Sequence, residues 1–115
     1  IAVLGGSHGG FLTTHLIGQA PDKFAAAATR NPVCSLPLMV GTADIPDWCY
    51  AETFGPLGKS MFTEAPSSEH LAVFHSKSPI SHISKVFPNQ QNLDLKKLSI
   101  LRNCVSNHRE KVVKC

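Results

Sequence analysis

Ser7 is the residue whose neighbours best fit it for covalent chemistry. It lies at the centre of Gly5-Gly6-Ser7-His8-Gly9, a G-x-S-x-G pattern. The apolar run Ile1-Ala2-Val3-Leu4 precedes it, and Gly10-Phe11-Leu12-Thr13-Thr14-His15-Leu16-Ile17 follows with helical patterning. A serine hydroxyl is a poor nucleophile until a base takes its proton. To meet that base it has to project from a sheet edge on a tight, strained turn. Gly5 and Gly9 flank Ser7, where a Cβ is expected to collide with the neighbouring strand or helix, and Gly6 and Gly10 loosen the same turn. The backbone N–H of His8 opens the helix and faces a developing oxyanion, as half of an oxyanion hole. The chemistry is acyl transfer to Ser7 followed by hydrolysis.

Other glycine-loop readings fit less well. A dinucleotide fingerprint needs Gly at i, i+2 and i+5, and a phosphate-binding P-loop needs Gly-Lys-Ser/Thr, whereas this loop runs into Phe11. An incidental serine in a Gly-rich turn is the plainer alternative. A β-type run before the motif and a helix pattern after it favour the nucleophile elbow of α/β-hydrolases.

The elements that must position Ser7 read as follows. Strand is expected at about 1–5, the elbow at 6–9 and helix at about 10–19, with Ala20-Pro21-Asp22-Lys23 as a turn. Phe24-Ala25-Ala26-Ala27-Ala28-Thr29 favours helix by propensity. One strand-helix unit after the elbow, it reads better as the next parallel strand. A short helix is expected at 35–41 and a Pro-initiated helical turn at 44–50. Residues 55–66 read as loop, and Ser67 or Ser68 caps a helix over about 68–76, which Ser78-Pro79 stops. The fold class is α/β, a parallel sheet with flanking helices. Two parallel strands make no core by themselves, so the sheet is expected to be incomplete, marginal in isolation and to expose apolar edges.

Length and composition bound the rest. The 115 residues allow one domain at most, and 43% apolar with 17% charged is ordinary globular composition. No apolar stretch approaches the roughly 18 residues of a membrane-spanning helix. No basic leader or initiator Met is visible, so the chain reads as a piece of a longer protein. Cys34, Cys49, Cys104 and Cys115 show no C-x-x-C pair and no zinc spacing, and reduced thiols are the default expectation, with Cys49 packed beside Trp48. The net charge of +3 hides a split: residues 1–84 carry four Lys/Arg against six Asp/Glu, and residues 85–115 carry seven against two. A mildly acidic body thus meets a basic tail near Lys85 to Pro88.

Several segments together carry a family resemblance. They are Gly5-Gly6-Ser7-His8-Gly9-Gly10-Phe11, Pro21-Asp22-Lys23-Phe24, Arg30-Asn31-Pro32-Val33, Asp44-Ile45-Pro46-Asp47-Trp48-Cys49 and Lys77-Ser78-Pro79-Ile80. Over roughly residues 1–84 the chain resembles the catalytic domain of the acylaminoacyl-peptidase branch of the prolyl oligopeptidase family. The resemblance implies an α/β-hydrolase domain, preceded in full-length relatives by a β-propeller and often oligomeric. It implies a cytoplasmic serine peptidase that releases N-acylated amino acids from short blocked peptides, with no metal or cofactor. By the same resemblance Ser7 is the nucleophile, the His8 N–H is one oxyanion donor, and Trp48 falls in a stretch that helps wall the substrate pocket, although a structural role for that tryptophan is an equal alternative.

The tail departs from this pattern. Relatives continue with a strand, a Gly-x-x-Asp turn carrying the catalytic aspartate, and a later loop carrying the catalytic histidine. Here Asp94 follows neither strand nor glycine, and His108 comes only fourteen residues later. Neither fits a triad role, so no triad Asp or His is identified. His15, His70, His75 and His82 read as surface or packing residues, and His8 is expected to point away along the helix start. Leu95, Leu98, Leu101 and Val105 are spaced for one face of a basic helix that could touch a membrane surface or an acidic partner. A solvated tail is the expectation preferred here. Two readings follow for the whole: a serine peptidase of this type, or a truncated and inactive relative without its base. A different serine hydrolase such as an esterase is disfavoured by Asp44-Ile45-Pro46-Asp47-Trp48-Cys49.

Overall fold

The computed structural model describes residues 1–86 and 111–114. Strand β1 (Ala2–Gly6) pairs in parallel with β2 (Ala26–Arg30), with Ala2 opposite Ala26 and Gly6 opposite Arg30. Parallel neighbours need a crossover, and helix α1 (His8–Gln19) supplies it, followed by a 3₁₀ turn at Pro21–Lys23. The alanine run is therefore strand, as its place after the elbow predicts, although it starts and ends later than expected. Pairing with β1 outweighs the helix propensity of alanine, and the small Ala27 is buried. A further strand β3 (Lys111–Lys114) runs antiparallel to β2, so the sheet order is β1-β2-β3. Nothing in the four-residue segment announces that strand, because its definition lies in its pairing with β2. The expected basic helix over 95–105 lies outside the described residues.

β1 alternates between an exposed and a half-buried face, and its outward Leu4 is 81% exposed. An apolar sheet surface is thus on view, as the two-strand argument requires. The burial lies elsewhere, in a helical layer. Helices α2 (Leu36–Val40), α3 (Asp47–Phe54) and α4 (Ser68–Ser76) meet around Leu36, Cys49, Tyr50 and Phe74, all fully buried, with Phe11 of α1 against them. Full burial of each large apolar side chain contributes about 1.5–3 kcal/mol. Tyr50 meets Phe74 edge-on at 5.0 Å and keeps its hydroxyl satisfied at 3.1 Å from Thr63 Oγ1. A 3₁₀ stretch over Gly55–Met61 replaces the expected loop.

Two serines anchor these helices as caps. The Ser35 hydroxyl accepts the Leu38 N–H at 3.4 Å, and the Ser67 hydroxyl accepts the His70 N–H at 3.2 Å. Ser78, past the end of α4, is fully buried. It donates to the Phe74 carbonyl at 2.6 Å and accepts the Leu36 N–H at 2.9 Å, so one hydroxyl closes α4 and opens α2. A 3₁₀ turn (Pro79–His82) and α5 (Ile83–Val86) then pack on α1, where Gly18 leaves room for His82. Cys49 is free and buried, as expected, and burial pushes its thiol up to about 11. Cys34 is disulfide-bonded, against the expectation of reduced thiols. Among the described residues no helix is long and apolar enough to cross a membrane.

Candidate active site

Ser7 stands where β1 ends and α1 begins, with φ 53° and ψ −119°. An L-residue in the left-handed range costs about 1–3 kcal/mol and persists only where its surroundings hold it. Three backbone constraints do so. The Ser7 N–H donates to the Arg30 carbonyl at 2.9 Å, extending the β1–β2 ladder by one rung. The Ser7 carbonyl accepts the Phe11 N–H at 3.0 Å, the first turn of α1. A Cβ at Gly5 would overlap the Gly9 carbonyl and sit 2.8 Å from Thr13 Oγ1, so only glycine lets α1 lie this close to β1.

The glycine argument needs one correction. A Cβ at Gly9 would meet nothing within 4 Å, so its expected collision does not occur. The second close approach is at Gly10, whose Cβ would lie 3.0 Å from Pro32 Cα. The helix leans on the segment after β2 one residue further along than the motif symmetry suggests.

Ser7 occupies the N-cap position of α1, yet its side chain makes no capping hydrogen bond. Ser35 and Ser67, with ordinary extended backbones, both cap. The positive φ turns the Ser7 hydroxyl away from the helix it begins, and the residue is exposed. This is the conformation that a nucleophile on a strand-to-helix turn needs.

His8, the first residue of α1, reaches across to α3, and its Nε2 lies 3.2 Å from Glu52 Oε1. A carboxylate only accepts, so Nε2 carries the proton. The ring stacks on Phe11 at 5.8 Å and meets Trp48 edge-on at 5.8 Å. His8 therefore does not simply point away along the helix. The structure brings His8 and Trp48 together beside Ser7. Three of the other described histidines have separate engagements. His15 Nε2 lies 3.0 Å from the Lys77 carbonyl oxygen, with its pKa lowered first by burial and then by His82, against the raising effect of that carbonyl. His70 packs on Tyr50 and Phe54, and His82 packs on His15. Asp94 and His108 lie outside the described residues. Among the described residues no group of three His, Cys, Asp or Glu is placed to hold a metal ion. Sequence reasoning missed Glu52, because its partner is forty-four positions away and no local pattern links them.

A strained serine at a parallel strand end, with an exposed hydroxyl and a helix N-terminus behind it, fits several hydrolase families. Comparison with known proteins decides among them. A model of the "Prolyl oligopeptidase family" matches residues 1–95. The chain belongs to the prolyl oligopeptidase family. Its α/β arrangement is accordingly that of an α/β-hydrolase. Within this family it is similar to the acylamino-acid-releasing enzyme of Arabidopsis thaliana, at 71% identity over 86 residues. It is also similar to acylamino-acid-releasing enzyme 1 of Oryza sativa subsp. japonica at 70% and to the enzyme of Rattus norvegicus at 45%. In each case the match covers 75% of this chain and 11% of the relative. The resemblance of the sequence to the acylaminoacyl-peptidase branch is thus borne out.

Proposed function

We propose that this chain is the nucleophile-bearing part of a serine peptidase that releases N-acylated amino acids from blocked peptides. One observation carries the reading. Ser7 is held at φ 53° in an N-cap position without capping, so its hydroxyl is presented outward from the junction of β1 and α1. In the reaction Ser7 Oγ forms a bond to the carbonyl carbon of the acylated residue, its proton passes to a base and then to the leaving amine, and the peptide C–N bond breaks. Water then hydrolyses the ester and frees Ser7. The His8 N–H, which has no partner within α1 because it heads the helix, stabilises the oxyanion. Trp48 is read as a wall of the pocket for the acylated residue, supported by its contact with His8. The proposal also takes residues 1–84 as the hydrolase segment and 85–115 as a divergent basic tail, supported by the charge split, although the family match runs on to residue 95. Cytoplasmic action is supported by the family resemblance alone.

A second reading is an inactive relative, favoured by the described histidines: His8 and His15 are engaged with Glu52 and Lys77 rather than with Ser7. Intact mass after incubation with a fluorophosphonate, beside a Ser7→Ala control, separates the two. The proposed peptidase gives one adduct, lost in the control. A folded protein that takes no adduct has its elbow without a base.

A further inference from the structure

We propose that Glu52 is a positioning residue for the His8 backbone N–H, standing in for the cap that α1 lacks; this rests on the reading of Ser7 as nucleophile. A helix begins with N–H groups that have no partner within it, and a side-chain cap usually ties that first turn down. In α1 the cap residue is Ser7, whose hydroxyl is turned outward, and no acidic residue occupies the first turn. The end that must hold an oxyanion donor steady is therefore the end without its ordinary anchor.

The anchor comes from α3. Glu52 Oε1 holds His8 Nε2 at 3.2 Å, and Trp48, four residues earlier on the same helix face, meets the His8 ring edge-on at 5.8 Å. Phe11 closes the third side by stacking, with 17° between the rings. Three neighbours thus restrict the His8 ring, while its side chain stays 52% exposed. Its N–H adjoins the Ser7 carbonyl, itself fixed by Phe11 N–H at 3.0 Å. Small misplacements of a donor at a reacting centre cost rate steeply. The carboxylate's charge is not what the role requires, since a negative group near a developing oxyanion opposes it. The role requires an oxygen acceptor at that distance.

The test combines two readouts on the protein labelled with 15N-histidine. One is the His8 amide order parameter, and the other is the fluorophosphonate labelling rate at Ser7. In wild type the amide is expected to be rigid, near about 0.85. Glu52→Ala should loosen it measurably and slow labelling about tenfold, short of the roughly 100-fold loss seen when an oxyanion donor is removed outright. Glu52→Gln keeps the acceptor and should recover most of both losses. His8→Ala severs the same tie from the other side and keeps the backbone N–H, so it should slow labelling to a similar extent; this arm decides the matter if Glu52→Ala does not fold, and an unchanged labelling rate in it overturns the proposal. An equally rigid His8 amide and an unchanged labelling rate in Glu52→Ala overturn the proposal, as does a Glu52→Gln as slow as Glu52→Ala. Absence of a Ser7 adduct in wild type overturns the nucleophile reading instead, and the amide measurement still reports whether Glu52 pins His8.

Discussion

The elbow and the aromatic layer solve opposite problems with the same few helices. Around Tyr50 and Phe74 the central side chains are fully buried, and the serines at the starts of α2 and α4 both cap. At the elbow the serine is exposed, its backbone is in the left-handed range, and its cap is not made. Burial and capping store stability in one region, and the other spends some of it to present a hydroxyl. Phe11 belongs to both, since it packs in the aromatic core and stacks on His8. The difference teaches that a reactive position here is recognisable by what a residue type declines to do. Among the described residues three serines sit at N-caps, and only Ser7 leaves the cap unmade.

The contrast can be broken at its stable end first. Phe74→Ala is expected to cost about 3–5 kcal/mol, because a fully buried ring leaves a cavity between α2 and α4. Chemical denaturation followed by circular dichroism measures it, and a loss under about 1 kcal/mol would mean that the layer is not the stabilising centre. The glycines sharpen the comparison next. Gly5→Ala should cost about 2 kcal/mol and abolish labelling of Ser7, since its Cβ overlaps the Gly9 carbonyl. Gly9→Ala, with open space around the added carbon, should change stability by less than about 1 kcal/mol, in the stabilising direction. Equal effects of the two substitutions would refute the close approach of α1 to β1. A comparably small effect is expected at Ser7 itself. Ser7→Gly relieves the positive φ and Ser7→Ala does not, so the glycine variant should be more stable than the alanine variant by about 1 kcal/mol, while both lose labelling. A glycine variant no more stable would mean that the turn holds little strain.

Much of this was legible in the sequence, and the rest was not for a consistent reason. β1, α1, α4 and the Ser67 cap follow from apolar spacing, glycines and proline punctuation, all of them local signals. The reading of the alanine run as a strand succeeded only because the elbow before it demanded a parallel partner. What escaped was long-range. The link of Ser78 to Leu36 spans forty-two positions, that of His8 to Glu52 forty-four, and β3 exists only through β2. The error at Gly9 has the same origin. The motif is symmetric about Ser7 but the packing is not, because α1 leans towards Pro32 on one side only.

The bond from the Ser7 N–H to the Arg30 carbonyl makes the height of the hydroxyl a matter of strand alignment. Asn31, at φ 47°, turns the backbone off the sheet directly after β2. A slip of β2 by one residue against β1 would move that carbonyl by about 3.3 Å and reverse which side of the sheet each alanine faces. Lengthening the loop around Pro21–Lys23 would leave the alignment untouched. The crossover can therefore drift in length over evolutionary time, while the five paired positions of β1 and β2 act as a ruler that does not permit fractional settings.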